Sequence, residues 1–230
     1  MSTTVYAVVA VKDLDRAKSR LAVDLPPAAR AELVLAMLSD TLTAVAQVPT
    51  VVATTVVTPD RRVADVASGH GAGVLAEPEH DGPADDAHAR LNAALDFAAR
   101  RTRDRHGPVD LLALQADLPA LRADELADVV NAAPAQRRSL VVDHRGTGTA
   151  ALLSRIPNQA LRPRFGPASA RRHLADDAIE LAGDWPGLRL DVDTAADLDR
   201  AIELGVGSAT RAVLAQIGWR HSRRVRHPVQ

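Results

Sequence analysis

The chain has 230 residues, a formal net charge of −1 and 47% apolar residues, enough to bury one full core, with no long linker or low-complexity block to divide it. The absence of cysteine excludes disulfides, thiolate nucleophiles and cysteine zinc sites; any metal must take oxygen or imidazole ligands, so a hard cation such as Mg²⁺ is the first expectation. The near-neutral balance gives no argument for nucleic acid. The opening residues show no charged n-region and no bilayer-length run, so the expectation is a cytoplasmic protein without a membrane partner.

Strand-like Val/Leu runs alternate with Ala/Leu/Arg helical stretches, which predicts the α/β class. Val5 to Val11 reads as a central parallel strand. It delivers residues 12–20 to the carboxyl edge of the sheet, where phosphates usually sit. Of 28 basic residues only Lys12 and Lys18 are lysines, and both fall in this loop. A compact ammonium suits a polyphosphate; two ordinary surface lysines are the alternative. Pro26 and Pro27 then open a helix in which Leu35, Leu38, Leu42 and Val45 face the core.

Val51 to Thr58 predicts a second strand, and Pro59-Asp60 opens a short helix through Val66. Gly69, Gly71 and Gly73 precede a third strand, Val74 to Ala76; the glycines come before a strand and not before a helix, so they read as turn residues and not as a dinucleotide or P-loop fingerprint. Glu77 to Asp86 is a polar insert expected to be a mobile loop. In the helix Leu91 to Phe97, Asn92 is either a base or ribose contact or a plain helix residue.

Strand Val109 to Leu114 ends just before Asp117, which Pro119 fixes in place. A carboxylate there is either a ligand at the carboxyl end of a central strand or the cap of the helix that starts near Arg122. Helix Ala123 to Ala132 and strand Ser139 to Val142 lead to Asp143-His-Arg-Gly-Thr-Gly-Thr-Ala150. There Gly146 and Gly148 free the backbone and the hydroxyls of Thr147 and Thr149 can donate, so the stretch is a phosphate cradle or a hairpin turn. His144 reads as a surface residue.

Gly166 and Pro167 open a helix with Ser169 in its first turn, either an anion site or an ordinary cap. Gly187 to Thr194 predicts a strand with Asp191 and Asp193 on one face; two such acids repel unless a cation lies between them. Thr194 caps a helix from Ala195 to Leu204. Residues 1–218 form one domain, and 219–230 are a basic tail expected to be disordered.

Three acids, a lysine-bearing loop and two glycine-framed anion sites together point to phosphoryl or nucleotidyl transfer with Mg²⁺. The runs Val11 to Leu21, Gln115 to Pro119, Gly146 to Thr149, Arg164 to His173 and Trp185 to Thr194 resemble the phosphoenolpyruvate / 2-phospho-L-lactate guanylyltransferases of coenzyme F-420 biosynthesis, actinobacterial type, in order over residues 5–210. The resemblance implies a three-layer nucleotidyltransferase fold of the nucleoside-diphosphosugar transferase type, with a mostly parallel mixed sheet. It also implies GTP and phosphoenolpyruvate as substrates, with enolpyruvyl-diphospho-5'-guanosine and pyrophosphate as products.

By position, the resemblance makes Lys12 a phosphate contact, Asp117, Asp191 and Asp193 the metal ligands, and Thr149, Gly166 and Ser169 the substrate-phosphate site, to which Gly148 is added. Lys12, Lys18, Arg20 and Asn92 are then the nucleotide contacts, and Lys12, Lys18 and Asp117 the catalytic set. Two positions depart from the family's pattern. Asp13 stands where a basic residue is usual, and Arg90 where glycine is usual. The alternatives are 2-phospho-L-lactate or 3-phosphoglycerate as acceptor, or a non-catalytic nucleotide-binding regulator; a homo-oligomer stays open.

Overall fold

Val5–Ala10 forms β1, in which only Tyr6 and Ala10 are less than buried, as suits a strand covered on both faces. Alternate side chains divide between two cores: Ala7 and Val9 join one, Val8 the other. In the computed structural model, which describes residues 4–12, 14, 18–78 and 86–219, β1 is an interior strand of a seven-stranded sheet. The order is β3-β2-β1-β4-β6-β5-β7, with β2 Val51–Val57, β3 Gly73–Leu75, β4 Asp110–Leu114, β5 Arg138–Val142, β6 Thr149–Ser154 and β7 Ile179–Glu180. β6 alone of these runs antiparallel, pairing with both β4 and β5.

Helices cover both faces. On one, α1 (Pro27–Ala46), α2 (Arg61–Gly69), α4 (Ala123–Ala132), α6 (Pro186–Arg189), α7 (Ala195–Leu204) and α8 (Ser208–Gln216) enclose the larger core. On the other, α3 (Ala87–His106) and α5 (Ser169–Ala175) enclose the smaller one around Leu95, Leu140 and Phe165. The expected three-layer α/β architecture with a mostly parallel mixed sheet is therefore present. The chain moves outward from β1 to β2 and β3, then crosses to β4 on the far side of β1. That reversal opens a crevice beyond the carboxyl ends of β1 and β4, and Lys12 and Asp117 follow those two strands directly.

The stretch Gly187 to Thr194 is not a strand. Pro186 sits at the first position of α6, where its fixed φ favours a helical turn, and residues 190–193 pair with no strand. The period-two pattern survives without a sheet: Leu188, Leu190 and Val192 are fully buried, while Asp191 and Asp193 turn to the crevice. Two ties replace the ladder. Val192 N donates to Asp117 O at 3.1 Å. The buried Glu125 carboxylate accepts from Gly187 N and Leu188 N, each at 3.0 Å. A Cβ on Gly187 would lie 2.1 Å from Ala120 O, so this close approach of two backbones requires glycine.

Helix α1 fixes the stretch around Asp117. Thr41 Oγ1 accepts from Leu118 N at 3.1 Å and lies 3.3 Å from Ala116 O. Its neighbour Asp40 accepts from Ala209 N and Thr210 N at 3.0 and 2.8 Å, fixing the start of α8. Thr194 caps α7 as expected, in a capping box with Asp197. Strands β6 and β7 and helix α8 were not expected, and α3 extends well beyond Leu91–Phe97 on both sides. Residues 79–85 of the polar insert and 220–230 of the tail lie outside the described residues, as does Asp13. Among the described residues no helix is long and apolar enough to cross a membrane.

Glu125 anchors the segment that bears two of the acids. Glu125→Ala should leave two buried amides without acceptors and cost about 2–4 kcal/mol. Urea denaturation of the two proteins checks this; equal midpoints would mean that α6 is held by packing alone.

Candidate active site

A cavity of about 410 Å³ occupies the crevice, and Lys12, Arg20, Asp117, Gly148, Thr149, Gly166, Ser169, Asp191 and Asp193 all line it. Larger surface clefts exist: one of about 560 Å³ lies between α3 and residues 157–161, lined by arginines and Asp96 and Asp104. Chemistry, not size, singles out the crevice, since acids, a lysine and hydroxyls converge there.

Lys18 does not line the cavity; its buried ammonium bonds to two acids that do, Asp117 through Oδ2 and, at 2.8 Å, Asp193 through Oδ1. Lys18 reaches them from a left-handed backbone, φ 51°. Burial would lower its pKa, but the two carboxylates more than offset this and hold it above its ordinary value. Burial pushes the Asp193 carboxyl up; Lys18, then Arg20 and Arg145, pull it below the usual range. Asp191 lacks such a partner, and burial, with Asp117 and Asp193 nearby, pushes it up to about 7. Lys12 is pulled down by burial, against the nearby Glu77 carboxylate.

Asp117 does not cap α4: the cap position is Arg122 and the Asp117 carboxylate faces Lys18. Among the described residues no three acids or histidines already stand around one ligating point. The donor set nevertheless suits a hard divalent cation. Asp117 Oδ1 and Asp191 Oδ1 are buried without a hydrogen-bond partner, and the carboxylates crowd one another.

His144 is not a surface residue. Its side chain is only 10% exposed, with Nε2 3.1 Å from Asp197 Oδ1 and Nδ1 3.5 Å from Asp191 Oδ1. The backbone bond from His144 N to Arg189 O, 2.8 Å, draws the ring inward, which a reading of the loop in isolation misses. Arg145 NH2 donates to Asp197 Oδ2 at 2.6 Å.

The opposite wall is glycine-framed. Asp143 to Thr149 does form the turn between β5 and β6, so its glycines serve a hairpin as well as the cavity. A Cβ on Gly148 would lie 2.3 Å from Asp143 Oδ2. Gly166 has φ +118°, and a Cβ there would lie 2.8 Å from the His88 ring. Ser169 makes no cap bond; the cap position of α5 is Ala168, φ 53°. Asn92 spends its amide inside the protein: Oδ1 accepts from Phe165 N at 2.7 Å, and Nδ2 donates to His88 O and Phe165 O at 2.8 and 3.0 Å. Arg90 bonds Glu77 through two nitrogens, at 2.9 and 3.3 Å.

The family model of CofC-like guanylyl transferases matches residues 5–227. The chain belongs to that family. It is 61% identical to a phosphoenolpyruvate guanylyltransferase of Nocardia farcinica over 98% of this chain and 96% of the relative. It is 48% identical to the enzyme of that name from Mycolicibacterium paratuberculosis, over 92% of each chain. Among solved structures it resembles a nucleotidyl transferase from Methanothermobacter (TM-score 0.59, 19% identity, 87% of this chain and 97% of that one). A cytidylyltransferase from Leptospira borgpetersenii has TM-score 0.51 at 12% identity, covering 95% and 94%. These likenesses carry the fold; the family carries the enzyme class, guanylyl transfer.

Two cavity residues, His88 and Arg145, drew no attention in sequence, because neither sits in a pattern of its own; α3 and the β5–β6 turn bring them in. His173, 1% exposed, lies just behind the wall. Burial first, then the Arg172 guanidinium, push it down to about 4, with Asp176 opposing. The unfolded chain therefore binds the extra proton between pH 6.5 and 4. The His173 contribution to stability is complete above about pH 6.5 and is lost as pH falls toward 4, by roughly 3 kcal/mol. Asp191, pushed up, acts in the opposite sense over much of that window, so the contribution is read as the difference between wild type and His173→Gln in urea titrations from pH 4 to 7. A pH-independent difference would mean that His173 titrates normally in the fold.

Proposed function

We infer that this protein transfers GMP from GTP to phosphoenolpyruvate, forming enolpyruvyl-diphospho-5'-guanosine and pyrophosphate in the route to coenzyme F-420. The reading rests above all on one arrangement: an acid-and-lysine floor and a separate glycine-hydroxyl wall share one cavity, in a chain 61% identical to a relative named for this reaction.

In this reading the wall of Gly148, Thr149, Gly166 and Ser169 takes the phosphorylated acid, and Lys12 and Arg20 take the triphosphate. The acceptor phosphate is ionised at neutral pH, so its oxygen attacks the α-phosphorus without a general base. A P–O bond forms, the bond to the β-phosphate oxygen breaks, and pyrophosphate leaves with the electron pair. The work left to the protein is alignment and neutralisation of charge.

Asp117, Asp191 and Asp193 would hold Mg²⁺, which when bound supplies positive charge to the phosphate oxygens. With a cation on the acids, the Lys18 ammonium, now bonded to Asp117 and Asp193, would be available to the phosphates from the same loop as Lys12. His144 and Arg145 hold the Asp197 carboxylate, which accepts from Asp193 N, and so fix the segment that bears that acid. The buried amides around Asp117 and Val192 keep the floor from shifting as charge moves.

With GTP and Mg²⁺, the purified protein should release pyrophosphate on addition of phosphoenolpyruvate. Asp117→Asn and Asp193→Asn should each lower kcat by about 100-fold or more while leaving the melting temperature within a few degrees. Equal release with 2-phospho-L-lactate would widen the acceptor to both acids. No release with any phosphorylated three-carbon acid would overturn the reading.

A further inference from the structure

The four residues assigned to the acceptor phosphate carry no charge of their own, so the grip of their side chains on an anion depends on where the hydroxyl hydrogens point. A threonine hydroxyl can donate or accept. If the Thr149 hydrogen were spent inside the protein, only lone pairs would face the cavity, and they would repel a phosphate. Thr149 is 1% exposed, and among the described residues the one hydrogen-bond partner of Oγ1 is His173 Nδ1, at 2.9 Å.

The direction of that bond is fixed from the other side of the ring. The Arg164 backbone N–H can only donate, and it meets His173 Nε2 at 2.8 Å. Nε2 therefore carries the lone pair, and the proton of the neutral imidazole resides on Nδ1. Nδ1–H then donates to Thr149 Oγ1. The Phe165 ring meets the imidazole edge-on, centroids 5.4 Å apart and planes at 75°, which holds the ring in this orientation. A second proton would set an N–H against the Arg164 N–H, in accord with the lowered pKa of this buried ring.

We propose that His173 is a positioning residue for the acceptor phosphate: by occupying a lone pair of Thr149 Oγ1 it turns the Thr149 hydroxyl hydrogen into the cavity as a donor. The proposal rests on the reading that this wall binds the phosphorylated acid. It gives a role to a histidine that touches neither substrate. It also explains why the Arg164-to-His173 stretch lies behind the β5–β6 turn: one backbone amide sets the tautomer, the tautomer sets the hydroxyl, and the hydroxyl faces the anion.

Two conservative substitutions separate this role from a merely structural one. His173→Asn keeps an N–H donor near the Nδ1 position and loses the Arg164 contact. His173→Gln reaches the Nε2 position and leaves Thr149 without its donor. Steady-state kinetics should give His173→Gln a KM for phosphoenolpyruvate raised about 5- to 10-fold with the KM for GTP unmoved, and His173→Asn a value within about twofold of wild type. Thr149→Val should raise the same KM by a similar factor, and adding His173→Gln to it should cost nothing more, because the hydroxyl to be aimed is gone.

The reverse order of the two histidine variants would overturn the proposal in favour of a tie to Arg164. So would independent, multiplying effects with Thr149→Val, or equal rises in both KM values. If wild type transfers GMP to phosphoenolpyruvate but Thr149→Val leaves that KM unchanged, the substrate-wall assignment falls and this proposal with it. If wild type transfers to no phosphorylated acid, the functional reading itself fails.

Discussion

One ammonium holds the site together. Lys18 lies between Asp117, which follows β4, and Asp193, which follows α6, and brings the loop after β1 onto both. Without a cation there, three carboxylates from distant parts of the chain would face one another in a half-buried crevice; burial first, and then Asp117 and Asp193, raise the pKa of Asp191, the acid that Lys18 does not bond. The chain has only two lysines among 28 basic residues, and this one fits a gap between two carboxylates that the broad guanidinium of arginine would force apart. Lys18 adopts a left-handed backbone to do so, a conformation that non-glycine residues take only when neighbouring contacts hold them there.

The carboxylates in turn are placed by backbone amides, not by the sheet. Thr41 fixes Leu118, Glu125 fixes Gly187 and Leu188, and Val192 N bonds Asp117 O directly. Asp197 is the second hub: its Oδ2 accepts from Asp193 N, Thr194 N and Arg145, and its Oδ1 meets His144. The capping box of α7 and the second layer of the site are thus the same carboxylate. Burial would raise the Asp197 pKa, but the Thr194 hydroxyl and amide, then Arg145 and Asp193 N, hold it below the ordinary range, so it stays charged opposite Arg145.

Much of this was legible in the residues. Val5 to Val11 and Leu111 to Leu114 are continuous apolar runs, and such runs become central strands; the acids and lysines that follow them then fall at the carboxyl edge without further information. The alternation of Leu188, Leu190 and Val192 with Asp191 and Asp193 told correctly which side chains share a face, yet it predicted a strand. Alternation reports one buried side, and an extended segment pinned by Glu125 and Asp117 meets that condition as well as a sheet does. Strand β6 was hidden because Thr149-Ala-Ala-Leu-Leu-Ser154 is buried on both faces and shows no period. The inward turn of His144 and the internal use of Asn92 depend on partners 53 and 73 residues away, and no local pattern carries such contacts.

In the proposed reading Asp117, Asp191 and Asp193 hold a divalent cation, and the Lys18 ammonium supplies positive charge to Asp117 and Asp193 in its absence. Thermal unfolding of wild type and Lys18→Met, each with and without Mg²⁺, tests it without reference to turnover. The account predicts that Lys18→Met melts lower than wild type in the absence of Mg²⁺, and that Mg²⁺ raises its melting temperature more than that of wild type, because no ammonium competes for the carboxylates. A Lys18→Met protein as stable as wild type and indifferent to Mg²⁺ would contradict it.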